Sequence, residues 1–563
     1  MKICIVGGVA GGASAAARLR RLDEKVEIIM FERGKYISFA NCGLPYHISG
    51  KIKKRSSLLI LTPESFEARF NVDVRVNNEV LSIDKQEKII QVKDLKKNEN
   101  YNETYDKLIL APGAAPFVPP IKGIDSDIFM NLRNIPDLDR IISNIKENNV
   151  KRAVVIGGGF VGVEVAENLS ELGIKTSLVE LLDQVLLPLD KEMANIVHHK
   201  LQERGIQLYL SDGVKEISNQ SVVLNSGKEI EAGIVIGAIG VRPETGLAKE
   251  AGLKLGETGG IIVNGHMRTS DPDIYAVGDA IEVTHFVTGS YELIPLAGPA
   301  NKQGRITADN ICGIPSVYKG TQGTGILKVF NLQVAFTGIN EKQAIETGMN
   351  YKAIHLHPNN HASYYPDSYQ TSLKVLFDID SGKIYGVQCI GPDGVDKRID
   401  VFATAIRSGM TVFDLEELEL AYAPPFGSAK DPVNMAGYIG SNIVKGIFKS
   451  VTFDEIKKIK NPLLVDVRTP IEFKLGNIPH SINIPVDELR LRINELPKDR
   501  NIVIYCQVGI RGYIAYRLLI QSGFKDICNL SGGYKTYLNY IYKLENRLNF
   551  YQDSNYQRDD SRV

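Results

Sequence analysis

Twice along this 563-residue chain the same order of parts recurs: an apolar strand, a glycine-rich turn, a small-residue helix, a second strand and an acid. The first copy runs from Ile3 through Gly7, Gly8, Val9, Ala10, Gly11 and Gly12 to a strand over 26–31 and Glu32. The second runs from Ala153 through Gly157, Gly158, Gly159, Phe160, Val161 and Gly162 to a strand over 176–179 and Glu180. In such an element the helix points its first amides and positive dipole end at a pyrophosphate, and glycine lets the backbone approach it. The acid hydrogen-bonds a ribose hydroxyl. One Gly-x-Gly-x-x-Gly match is weak evidence in a glycine-rich chain. Two copies, with acids 25 (32 − 7) and 23 (180 − 157) residues past the first glycine, make coincidence a poor account. Val9 takes the second glycine position of the first copy, so Gly7 and Gly12 are its clearest glycine contacts and a less close approach to ligand is expected.

Segments 108–113 and 273–280 read as buried strands ending at Gly113 and Gly278, the kind of edge that closes a nucleotide pocket. This predicts an α/β protein with two nested Rossmann-like domains, residues 115–249 inserted into a first domain of 1–114 plus 250–317. Region 318–445 alternates strands (325–329, 373–377, 383–390) before a helix over 396–408, which suits an α+β interface domain. A linker at 446–450 leads to a small α/β domain over 451–545, with strands at 463–467 and 502–505 and a helix at 512–522. The polar stretch 546–563 is expected to be disordered.

Length alone calls for several hydrophobic cores. Sixty-six basic and 66 acidic residues cancel, so no global field favours nucleic acid or a membrane surface. No run approaches the roughly 18 apolar residues of a membrane helix, and the apolar start is broken by Gly7 too early for a signal peptide. The six cysteines, at 4, 42, 312, 389, 506 and 528, form neither a metal-type Cys-x-x-Cys pair nor a disulfide framework, so no metal site and a reducing cytoplasm are expected.

Two of those cysteines sit in chemically distinct settings. Cys42 lies in Ser-Phe-Ala-Asn-Cys-Gly-Leu-Pro (38–45), downstream of the first glycine-rich turn. Cys506 opens Cys-Gln-Val-Gly-Ile-Arg (506–511) between a strand and a helix, so loop amides and the helix's positive end should point at its sulfur, favouring a thiolate or a persulfide anion. An electron-passing thiol and a sulfur-carrying thiol on one chain suit a substrate with a sulfur–sulfur bond.

At this point the chain resembles a known family. The first 445 residues look like a flavin-dependent pyridine nucleotide-disulfide oxidoreductase of the coenzyme A-disulfide reductase type. The remainder resembles a rhodanese domain. The motifs that carry the likeness are Ser38–Tyr46, His361-Ala-Ser-Tyr364-Tyr-Pro, Tyr422-Ala-Pro-Pro-Phe-Gly-Ser-Ala-Lys430, Leu464-Val-Asp-Val-Arg-Thr-Pro, Gly476-Asn-Ile-Pro-His480 and the 506–511 loop. The resemblance implies FAD on the first repeat, contacted by Gly7, Gly8, Ala10, Gly12, Glu32, Arg33, Ala111, Gly113, Gly278, Asp279, Pro295 and Ala297. It implies a pyridine nucleotide at Gly157, Gly159, Phe160, Val161, Gly162, Glu180 and Gly240. Leu181 and Leu182 follow Glu180 with no basic residue to receive a 2′-phosphate, which favours NADH over NADPH.

Dithiol members of the wider group carry a second cysteine five residues on, where this chain has His47. Cys42 must then complete its cycle with an outside sulfur. His47 is expected to pack rather than to act as a base. The resemblance further implies catalytic roles for Tyr364 and Tyr422, donated across a homodimer to protonate a leaving thiolate, and for Cys506 and Arg511. Ser14, Arg18, Arg21, Ser38, Asn41, Arg69, Asn301 and Lys430 would line a coenzyme A groove; Arg18 and Arg21 share a helix face. The implied substrates are coenzyme A disulfide, coenzyme A persulfide or polysulfide. The alternatives are an NADH oxidase or peroxidase cycling through a sulfenic acid and a redox-sensing interaction protein.

Overall fold

A computed structural model describes residues 1–542. The chain divides into two compact units, Met1–Val185 with Gly205–Leu327, and Leu186–Arg204 with the chain from Lys328 onward.

In the first unit the duplicated sequence folds as duplicated structure. A five-stranded parallel sheet runs Ile274–Ala276, Lys107–Leu110, Lys2–Val6, Glu27–Glu32, Asp73–Val76. A second runs Gln207–Tyr209, Lys175–Val179, Arg152–Ile156, Ile234–Gly237, Phe129–Asn131. In both, the strand before the glycine loop is central. Paired on both edges and packed by its own helix, this strand buries Ile3, Cys4 and Ile5, like Val154 and Val155, completely. A three-stranded antiparallel sheet follows each half: Asn78–Asp84, Ile89–Asp94, Glu99–Thr104, and Val214–Ile217, Ser221–Leu224, Glu229–Glu231. The ribbon Ala114–Pro116 with Val241–Pro243 joins entry to and exit from the second half.

In the second unit the strands Leu332–Gly338, Ile384–Gly391, Ser372–Asp378 and Tyr351–Leu356 pair antiparallel in one sheet. Helix Val395–Arg407 packs on it. The last sheet is parallel, in the order Ser450–Val451, Ile527–Leu530, Ile502–Tyr505, Leu463–Asp466, Ile482–Asn483, with an apolar cluster on each face. Phe448, inside the segment read as a linker, is buried edge-on against Tyr513 and Tyr516. The expected disorder of 546–563 lies outside the described residues.

The segment Leu186–Arg204, sequentially part of the second nucleotide half, belongs to this unit. Lys374, on the strand Ser372–Asp378, is fully buried, and its Nζ lies 2.7 Å from Asp190, 2.5 Å from Glu192 and 2.5 Å from Glu341. Burial opposes the charge, but the three carboxylates outweigh it and hold the ammonium well above the ordinary lysine range. Nε2 of His355 adds a 2.8 Å contact to Glu192, and the backbone N–H of His355 donates to Ser531 at 2.7 Å. His357 meets the Thr536 hydroxyl at 2.7 Å, and Asn195 donates to the carbonyl of Asn539 at 2.8 Å.

Candidate active site

The two glycine loops share the same backbone turn. Gly7 and Gly157 have φ of 99° and 105°, a region closed to most side chains. A Cβ on Gly12 would fall 1.9 Å from the carbonyl oxygen of Gly7, and one on Gly162 would fall 1.9 Å from that of Gly157. These contacts lock helices Ala10–Leu22 and Phe160–Glu171 against their loops. Each acid grips its own loop. Glu32 accepts from the N–H groups of Gly8 (3.0 Å) and Gly34 (2.8 Å), and Glu180 from those of Gly158 (2.6 Å) and Leu182 (2.8 Å).

Both helix starts suit a pyrophosphate. Neither has a side-chain cap nor an acid in its first turn, so first-turn amides are left for a ligand. Gly159 has nothing within 4 Å of where a Cβ would stand, and Gly113 is equally open. The residue matching Gly159 in the first copy is Val9, which keeps a side chain at the mouth. Asp279 sits in the turn Gly278–Ala280, its carboxyl raised by burial against the opposing pull of Arg133. The amide of Gly278 donates to Gln303 at 2.8 Å. Arg33 lies 2.5 Å from Glu244, which also pairs with Arg133 at 2.8 Å. Ala111 places its carbonyl under Gly7, Gly240 turns with φ 97°, and Pro295 precedes the uncapped helix Ala297–Ile311.

Cys42 lies in the short turn Asn41–Gly43, just before helix Leu44–Ile48. The residue is exposed, yet protein around its sulfur pushes the thiol up, and the charge of Glu164 adds to this. All six cysteines are free, and position 47 holds a histidine whose Nδ1 faces the Ile52 carbonyl at 2.5 Å. That contact fits the expected packing role.

The predicted coenzyme A residues fall into sets. Gly11 and Gly304 allow helices Ala10–Leu22 and Ala297–Ile311 to touch, since a Cβ on Gly304 would meet the Gly11 carbonyl at 2.4 Å. Ser14 and Asn301 hydrogen-bond across this seam. Arg18 is engaged with Asp309 at 2.7 Å, so its charge is already partnered, while Arg21 and Arg69 are exposed. Between Arg18 and Arg21 the sequence hid a structural residue. Arg20 is buried and donates to five backbone carbonyls, those of Asp23, Glu24, Val26, Phe70 and Asn71. Ser38 adopts φ 44°, Asn41 is exposed beside Cys42, and Lys430 is exposed in the second unit.

Tyr364 and Tyr422 are brought together although 58 residues apart. Their hydroxyls lie 2.9 Å from each other, and the rings are 75% and 49% exposed. The hydrogen bond to Tyr422 raises the Tyr364 phenol.

At the other cysteine, the Gly509 amide donates to Sγ of Cys506 at 3.1 Å, and Cys506 is buried at the end of Ile502–Tyr505. Arg511 does not stand free. Its guanidinium forks onto Glu472 at 2.7 and 2.6 Å, which drives the Glu472 carboxyl down to about 2 despite opposing burial. Arg468 grips buried Asp466, reaches Gln507 at 3.0 Å and stacks 4.2 Å over the Tyr534 ring. The sequence did contain a sign of Glu472, because Thr469-Pro-Ile-Glu472 is a capping box for helix Pro470–Leu475.

Two matched dinucleotide-type cradles and a thiol with no second cysteine five residues on, followed by a parallel-sheet domain with a second cysteine loop, define an oxidoreductase of the two-nucleotide kind with an added α/β domain. Residues 1–304 match the pyridine nucleotide-disulphide oxidoreductase family, 325–432 its dimerisation domain and 452–540 the rhodanese-like domain. A coenzyme A disulfide reductase from Staphylococcus aureus strain JH9 is 37% identical over 439 residues, 78% of this chain and 99% of that protein. The structure of reduced CoADR-RHD from Bacillus anthracis superposes with a TM-score of 0.94 at 54% identity, covering 96% of this chain and 98% of that one. That of a NAD-dependent persulfide reductase from A. fulgidus gives 0.90 at 36% identity, with 96% and 100% covered. The chain belongs to the pyridine nucleotide-disulphide oxidoreductase family and is an enzyme carrying a C-terminal rhodanese domain. Membership brings with it a flavin and a pyridine nucleotide. No described helix is long and apolar enough to cross a membrane.

Proposed function

We propose that this protein is a homodimeric NADH-dependent reductase of coenzyme A disulfide, coenzyme A persulfide or polysulfide, with FAD in the first cradle and NADH in the second. Bound in the first cradle, a flavin would supply two-electron chemistry between a nicotinamide and a sulfur. The observation that carries the reading is a lone Cys42 with a histidine at position 47, downstream of one of two matched dinucleotide cradles. Such a thiol takes its sulfur partner from the substrate.

Cys42 attacks one substrate sulfur as the thiolate, and the other sulfur departs with a proton from the Tyr364–Tyr422 pair of the partner subunit. Ser14, Ser38, Asn41 and Asn301 hold the carrier arm; Arg21, Arg69 and Lys430 offer charge to its phosphates. The Glu180 carboxylate, followed by exposed Leu181 and Leu182, repels a 2′-phosphate, which supports NADH. Cys506 holds sulfane sulfur as a persulfide beneath the Gly509 amide, with Arg511 braced by Glu472. The names of the similar proteins support the same substrate class.

The deciding experiment is stopped-flow mixing of the purified protein with NADH and then with each sulfur compound. Flavin bleaching followed by reoxidation selective for a sulfur substrate is expected. Reoxidation by oxygen or peroxide alone at equal rate would overturn the assignment in favour of oxidase chemistry.

A further inference from the structure

Two exposed apolar pairs adjoin the cysteine loop of the last domain. Helix Pro470–Leu475 carries Ile471 and Leu475, and helix Ile510–Gln521 carries Ile510 and Ile514. Each pair is four residues apart and shares a helix face, and all four side chains are exposed. The helices are joined at the loop, because Arg511, next after Ile510, forks onto Glu472, next after Ile471, at 2.7 and 2.6 Å. Grouped exposed apolar side chains of this kind mark a binding surface. The loop itself holds the sulfur of Cys506 under the Gly509 amide at 3.1 Å, and the helix that follows starts with no side-chain cap and no acid in its first turn.

The cations that touch this loop are already engaged. Arg468 is buried against Asp466, with Nη2 2.7 Å from the carboxylate, and gives Gln507 one hydrogen bond at 3.0 Å. A guanidinium can only donate, so Gln507 turns Oε1 toward Arg468 and keeps Nε2 as an uncharged donor. Burial raises the Glu472 carboxyl, but the Arg511 fork outweighs it and holds the group down to about 2, so this ion pair persists at neutral pH. Lys535, whose amide holds the Gln507 carbonyl at 3.0 Å, directs its ammonium at the side chain of Gln370, 2.8 Å away.

We propose that the Cys506 loop takes its sulfur from organic persulfides, RSSH, whose chain next to the sulfur is uncharged and partly apolar, and that it discriminates against oxyanion donors such as thiosulfate. The inference rests on the reading of Cys506 as the sulfur carrier. The Cys506 thiolate attacks the outer sulfur of RSSH. The donor's sulfur–sulfur bond breaks, a new one forms on Cys506, and the proton leaves on RSH. The products are a persulfide anion on Cys506 and a neutral thiol, so one negative charge stands on each side and no oxidant or reductant is consumed. The chain R lies against Ile471, Leu475, Ile510 and Ile514. Thiosulfate would instead bring two more negative charges to an anionic sulfur, which calls for a guanidinium free of its own carboxylate.

The test exposes oxidised full-length holoenzyme, without NADH and at neutral pH, to N-acetylcysteamine persulfide or to thiosulfate. After alkylation, mass spectrometry follows the gain of one sulfur on the Cys506 peptide. Each rate is taken relative to that of the same donor with free glutathione, which removes the donors' own difference in reactivity. On that scale the persulfide should be favoured by at least about tenfold. Glu472→Gln releases Arg511 for an oxyanion and should raise thiosulfate loading at least about tenfold, whereas Glu472→Asp, which keeps the charge, should leave it low. Replacing the exposed pair, Ile471→Gln with Ile510→Gln, should weaken persulfide loading about tenfold, through the half-saturating concentration rather than the maximal rate. Wild-type loading with no preference over thiosulfate overturns the proposal, as does a Glu472→Gln enzyme no faster with thiosulfate. Loading without preference removes the donor class and leaves Cys506 as the carrier. If neither donor adds sulfur to Cys506, the carrier reading falls too.

Discussion

Replacing Lys374 with methionine keeps most of the side chain's volume but removes the ammonium from a site where three carboxylates converge within 2.7 Å of it. Breaking one buried pair by removing a partner costs about 3–5 kcal/mol. Here one ammonium serves Asp190, Glu192 and Glu341, so the loss should fall at the upper end of that range, about 5 kcal/mol. The sign with pH follows from the same geometry. In the wild type Lys374 and His355 hold Glu192 below its ordinary value against the effect of burial. Without the ammonium, burial and mutual repulsion raise these carboxyls above their unfolded values. The penalty is then full at pH 8 and fades as pH falls, by up to about 1.4 kcal/mol per pH unit for each group that takes up a proton. Urea unfolding of wild type and Lys374→Met at pH 8 and pH 5 measures this. A deficit at pH 8 under about 1 kcal/mol, the worth of a surface pair, or one equal at both pH values, would refute the reasoning.

Gly162→Ala puts a methyl 1.9 Å from the Gly157 carbonyl, so nicotinamide nucleotide affinity should fall at least about tenfold while flavin content is kept; titration calorimetry and the flavin spectrum read the two separately. Tyr422→Phe and Tyr364→Phe should each cut kcat with coenzyme A disulfide by about tenfold or more and leave the rate of flavin bleaching by NADH unchanged. The Glu472 carboxyl, lowered to about 2 from an ordinary value near 4.5, contributes stability that is complete above pH 4.5 and lost as pH falls toward 2. Allowing for its partial exposure, acid unfolding between those pH values should be less steep in Glu472→Gln by about 1–2 kcal/mol.

Local pattern carried the architecture. The strand–glycine–helix element declares itself within about thirty residues, so both parallel sheets and their acids were legible at Gly7–Glu32 and Gly157–Glu180. The loop at Cys506 was equally readable, because its strand, glycine and helix are contiguous. Pairings across long separations were not. Nothing near Tyr46 announces Glu164, 118 residues away, whose carboxylate its hydroxyl meets. Arg18 was placed in the coenzyme A groove by resemblance, and its partner Asp309, 291 residues on, gave no local sign. The capture of Leu186–Arg204 by the second unit was invisible for the same reason. Its residues Asp190, Glu192 and Asn195 meet their partners, the Lys374 ammonium and the Asn539 carbonyl, only across long separations in the chain.

Because the chain crosses between its units after Val185, after Arg204 and after Leu327, no single proteolytic cut releases both units whole. A product truncated before the last domain would strip His355 of Ser531, His357 of Thr536 and Asn195 of Asn539, baring groups that are now sealed from water. The sulfurtransferase end is therefore no detachable cargo. It closes part of the interior on which its neighbour's integrity depends.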